Sequence, residues 1–143
     1  MLRLLIVLLG MSSAWCHAEW VVSDATVRLL PPSVPNTAAY FSIENRSPEV
    51  KVLVAASSNI ANKTELHNHV MVNNMMRMQQ QHEIKVQPGQ KIDFQPGGLH
   101  IMLFGLNQVL SEKQVVNLSL KTKEGGSIDF TAIVTRPSDH KHH

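Results

Sequence analysis

From residue 21 to residue 134 the chain never holds apolar side chains at helical spacing for more than a turn or two; it holds them two apart. Ile84 and Val86, then Ile92 and Phe94, alternate with polar neighbours, the period of a strand with one buried face. Between such runs stand residues that turn a backbone: Pro31-Pro32, Asn45-Arg46-Ser47-Pro48, Pro88-Gly89, Pro96-Gly97-Gly98 and Gly125-Gly126. Together they delimit strand candidates at 21–27, 38–43, 50–55, 64–67, 75–79, 83–86, 91–94, 100–104, 115–120 and 127–134. The stretch 105–112 is the one place expected to form a short helical turn or a loop. Many short strands at such spacing predict an all-β sandwich or barrel. No internal repeat or linker divides the pattern, so one domain is expected.

The segment before the first strand has another purpose. Met1-Leu2-Arg3 is a short cationic start, Leu4 to Met11 is an apolar run of eight, and small residues follow up to Ala18. A membrane-spanning helix needs about 20 apolar residues. The order of parts is that of a secretory signal peptide, 1–18, cleaved before Glu19 and followed by a domain over 19–136 and a polar tail over 137–143. A lipoprotein reading of Cys16 is set aside because bulky Trp15 precedes it. Export to the periplasm is the expectation.

Removal of the leader leaves 143 − 18 = 125 residues and takes the only cysteine, Cys16, with it. A disulfide framework, a thiolate zinc or iron–sulfur site and the Cys-x-x-Cys-His of a c-type haem are then excluded. A blue-copper electron carrier, which needs a cysteine thiolate, is excluded too. No His-Glu-x-x-His marks a zinc hydrolase. Lys+Arg 13 against Asp+Glu 11 is too balanced for an electrostatic nucleic-acid binder.

What remains in excess is methionine and histidine. Four of the five methionines left after the leader lie from Met71 to Met78, and the fifth is Met102. His67, His69 and His82 flank the first group, and His100 stands two residues before Met102. Residues two apart on a strand share a face, so His100 and Met102 point one way and Ile101 the other. By the same rule Met76 pairs with Met78 across Arg77, and His67 with His69 across Asn68. Singly, a methionine is a core filler and a strand histidine a surface group, and His69 and His82 are taken as surface histidines. Jointly, thioether and imidazole select copper, Cu(I) above all, over hard cations and zinc.

Three segments carry a resemblance: Glu65-Leu66-His67, Met75-Met76-Arg77-Met78, and Pro96-Gly97-Gly98-Leu99-His100-Ile101-Met102-Leu103. His67 and Met78 enclose ten residues (68–77), Met78 and His100 enclose twenty-one (79–99), and Met102 closes the pattern. This spacing resembles the signature of the periplasmic copper chaperones called PCu(A)C, over about Val21 to Arg136. The resemblance implies a cupredoxin-like Greek-key β-sandwich holding one Cu(I) by His67, Met78, His100 and Met102. It also implies a carrier delivering copper to the copper A site of cytochrome c oxidase, alongside Sco-type proteins; a non-enzymatic monomer is the expectation. Where some members have an extra Met after the first His, this chain has Asn68; Met76 and Met71 are the alternative sulfurs. His140, His142 and His143 in the tail suit Cu(II). Two other functions stay open: a scavenging or storage protein without an oxidase target, and a Cu(II) enzyme should cleavage instead expose His17 as the N-terminus.

Overall fold

The computed structural model describes residues 18–137. It has ten strands: β1 (Trp20–Arg28), β2 (Thr37–Asn45), β3 (Lys51–Ser58), β4 (Ala61–Val72), β5 (Met75–Gln80), β6 (Ile84–Val86), β7 (Lys91–Phe94), β8 (His100–Leu106), β9 (Val115–Thr122) and β10 (Ser127–Thr135). Each expected strand is present, and among the described residues there is no α-helix. The stretch 105–112 divides between the end of β8 and a loop. The chief difference is β4, expected at 64–67 but twelve residues long. Polar Asn62-Lys63 and Asn68-His69 interrupt the hydrophobic alternation on either side of the expected segment, before Val70-Met71-Val72 completes the strand; pairing with β5 on one edge and β8 on the other holds it extended.

The strands form one hydrogen-bonded sheet in the order β5-β4-β8-β2-β1-β10-β9-β3-β6, with β7 also paired to β2. The pairings are antiparallel except β1 with β10, where Thr26 lies opposite Ile133. The sheet folds on itself into a β-sandwich. Consecutive β3 and β4 belong near opposite ends of the strand order although only Asn59 and Ile60 separate them, so the chain crosses there between layers. Both layers send alternate residues inward: Phe41 and Ile43 from β2, Leu66 from β4, Ile101 and Leu103 from β8, Leu118 and Leu120 from β9, Val134 from β10. Phe41 stacks on Phe94 at 4.3 Å between ring centroids and meets Phe130 at 4.9 Å.

Two turns fix where the histidines and methionines stand. Between β4 and β5 the two-residue loop Asn73-Asn74 has φ of 49° and 61°. Positive φ at both central residues is the turn that matches the twist of a hairpin, and asparagine tolerates it. It sets the hairpin register, Val72 opposite Met75, Met71 opposite Met76 and His69 opposite Met78. Before β8, Gly98 N–H donates to the Gln95 carbonyl at 3.0 Å around Pro96-Gly97, and Gly97 has φ 83°. Proline then a positive-φ glycine is a type II turn. It starts β8 at His100.

Candidate metal centre

Register alone brings the singled-out side chains to one face. His100 lies opposite His67, and Met102 opposite Glu65. Across the other edge of β4, Gln80 lies opposite His67 and Met78 opposite His69. Cross-strand partners share a face, and so do residues two apart. Glu65, His67, His69 and Met71 of β4 therefore stand with Met76 and Met78 of β5 and with His100 and Met102 of β8. The intervening residues Leu66, Ile101 and Leu103 go to the core, and Ile101 faces away from His100 and Met102 as the alternation predicts. The face looks away from the core of the sandwich.

The two buried histidines differ in what their second ring nitrogen meets: a thioether at His100, and no hydrogen-bond partner at His67. His100 is 3% exposed, and its Nδ1 donates to the Gly98 carbonyl at 2.9 Å, an acceptor supplied by the type II turn. Burial pushes the His100 imidazole down, away from protonation; the Gly98 carbonyl opposes this, and His69 and His67 reinforce it. In that neutral ring Nε2 carries no proton, yet it faces the Met78 sulfur at 3.0 Å. Two electron-pair donors thus face each other.

His67 has the complementary arrangement. Its Nε2 donates to the Glu65 carboxylate, Oε2, at 2.7 Å, while its buried Nδ1 has no hydrogen-bond partner. A buried polar atom without a partner ordinarily costs about 1–3 kcal/mol, so an orphan here calls for a reason. The hydrogen bond from His67 holds Glu65 below the usual carboxylate range against the opposing effect of burial, with Lys63 Nζ 3.2 Å from Oε1 assisting. Lys63 also lies over the Phe104 ring, 4.7 Å from its centroid, and that ring is 5.9 Å from His67. The carboxylate is thus engaged in orienting the imidazole.

His69 is the residue that reading the sequence undervalued. Expected to be a surface histidine, it is partly buried, with its ring centroid 5.2 Å from that of His100; His67 and His100 are 5.8 Å apart. The signal was its placement two residues from His67. His82, by contrast, is exposed in the loop after β5, and no strand carries it to this face. His140, His142 and His143 of the tail, and residues 1–17 with Cys16 and His17, lie outside the described residues.

The donor set is restrictive. Among the described residues no three His, Cys, Asp or Glu side chains are grouped so as to hold a metal by themselves, while thioethers share this face. Thioether binds soft ions and adds little for hard ones. A cleft of about 600 Å³ lies elsewhere, and its lining includes Arg28, Tyr40, Asp93 and Arg136 but neither histidine nor methionine.

Comparison with known proteins agrees with the fold. A family model described as "Putative lipoprotein LpqE-like" matches residues 21–134. A curated relative, "Putative lipoprotein Lxx21020" of Leifsonia xyli subsp. xyli, is 30% identical over 92 residues, 64% of this chain and 55% of that protein. The chain thus spans little more than half of that relative's length. Among solved structures, the apo PCuAC domain of PmoF1 superposes with a TM-score of 0.70 at 19% identity, covering 84% of this chain and 96% of that domain. The Cu(I) form of DR1885 from Deinococcus radiodurans, solved in solution, gives a TM-score of 0.63 at 29% identity, covering 87% and 83%. The resemblance to PCu(A)C proteins read from the motif spacing is therefore matched by the fold.

Proposed function

This chain belongs to the LpqE-like family, and from that premise we propose that it is a copper chaperone of the cell envelope. Its cargo is Cu(I), bound by His67, Met78, His100 and Met102. The observation that carries this reading is the encounter of His100 Nε2 with the Met78 sulfur at 3.0 Å while Nδ1 is committed to Gly98. A soft cation placed there turns a repulsion between lone pairs into two bonds. The orphaned Nδ1 of His67 offers a further nitrogen, and Met102 a sulfur on the same face. DR1885, whose solution structure is of a Cu(I) form, supports the choice of cargo.

The chemistry is exchange of ligands. Neutral thioethers bind without losing a proton and leave without gaining one, so an incoming donor on the recipient can displace them stepwise. The recipient we assign is the dinuclear copper A site of cytochrome c oxidase, with Sco-type thiol proteins as partners. Oxidase activity in cells that lack this protein and grow on scarce copper tests that assignment; unimpaired activity would favour scavenging or storage. The lipoprotein names of the family and the relative support an envelope location.

X-ray absorption on the Cu(I)-loaded protein tests the site. The expected shell contains both sulfur and nitrogen neighbours in equal number; a shell of nitrogen and oxygen alone would overturn the assignment. A second expectation concerns Glu65. The Glu65→Gln variant loses the charge-assisted acceptor that fixes the His67 ring, and Cu(I) affinity in a chelator competition should fall about 10–100-fold, as for other outer-sphere partners of metal-bound histidines.

A further inference from the structure

The same face continues outward past the proposed copper site, and at its outer end the methionine side chains are exposed. Exposure rises steadily along it: His100 3% and His67 8%, then Met78 49%, Met76 55% and Met71 63%. All six residues of β5 are exposed, and β5 is the edge of the sheet. A methionine that fills a core is buried; these thioethers are in water on an edge strand, where natural proteins usually place charges. Their exposure forfeits hydrophobic stabilisation and calls for another explanation.

Register gives one. Met71 stands directly opposite Met76, next to the pair His69–Met78, which is next to the level of His67 and His100. Directly opposed side chains have Cβ atoms about 4.5–5.5 Å apart, within reach of one ion for two flexible methionines. Successive levels on one face are about 7 Å apart. His69 sits between the outer pair and His100, 5.2 Å from the latter between ring centroids. The face holds no carboxylate at these levels, so the set is soft throughout.

We infer that Met71 and Met76, backed by His69, form a second soft-metal station at the hairpin tip, through which Cu(I) enters and leaves the inner site. The inference rests on the copper chaperone reading. At each step an ion gains a donor from the next level before it releases one behind. The Asn73-Asn74 turn maintains the register that makes the levels coincide. Met75 provides a built-in control: it lies opposite Val72 on the other face of the hairpin, and it is as exposed as its neighbours.

The test is an anaerobic Cu(I) titration of protein labelled with methyl-13C methionine, each methyl assigned by a single Met→Leu substitution. The first equivalent should move Met78 and Met102, and the second Met71 and Met76, with Met75 unmoved. The variant Met71→Leu with Met76→Leu should lose the second equivalent and surrender its remaining Cu(I) to a chelator several-fold more slowly in stopped flow. Met71 and Met76 unmoved, or Met75 moving equally with them, would overturn the station, as would an unchanged transfer rate; the inner site stands in those cases if Met78 and Met102 responded. Response of Met71 and Met76 without Met78 and Met102 would overturn the inner site and the passage into it together.

Discussion

Replacing His100 and Met102 together by alanine should abolish tight Cu(I) binding and leave a folded protein. Both stand on the outward face of β8, and the strand is held by β4 and β2 through backbone pairing that does not involve their side chains. The loss takes the nitrogen that faces the Met78 sulfur and one of the two inner thioethers. Losing an outer-sphere partner alone costs up to about 100-fold in metal affinity, so removal of two donors should exceed that. A competition titration against a Cu(I) chelator measures it, and circular dichroism reports the retained strands. Unchanged affinity would place the copper elsewhere on the chain.

The neighbouring position on the same strand should give the opposite result. Leu103, fully buried among residues of both layers, faces the core one residue after Met102. Leu103→Ala removes buried methyl groups and leaves a cavity that a β-sandwich closes poorly, so stability should fall by about 2–5 kcal/mol. Urea unfolding measures the loss, while any copper bound by the fraction still folded should be bound with nearly native affinity. The pair of experiments separates the two faces of β8. If Leu103→Ala destabilised the fold by no more than the His100 and Met102 replacements do, the assignment of inward and outward faces would be wrong.

Much of this arrangement was legible in the sequence because strands have a period of two and turns have a chemistry. Alternation placed His100 with Met102 on one face and Ile101 on the other, and Pro96-Gly97 announced the turn that starts β8. The full length of β4 was not legible, since Asn62-Lys63 and Asn68-His69 have no preference for strand that a local reading can detect, and the second pair hides the continuation into Val70-Met71-Val72. Neighbouring strands impose their extension. Two consequences were missed with them: the length of the hairpin that ends at Asn73-Asn74, and the place of His69 beside His100. Spacing along the chain shows that His69 shares a face with His67; it does not show which strand lies next to that face.

The sequence by itself determined the donor inventory, the absence of cysteine after the expected leader, the succession of most strands along the chain and which residues within a strand share a face. These depend on composition and on geometry repeated over a few residues. The tertiary structure decided which faces meet. Only cross-strand register sets His67 opposite His100 and Met71 opposite Met76. Only the packed site commits His100 Nδ1 to Gly98, anchors His67 on Glu65 and leaves His67 Nδ1 without a partner. The physical reason is that pairing, burial and desolvation act between segments far apart in the chain, and a change of one residue in hairpin register would turn every one of these side chains to the other face.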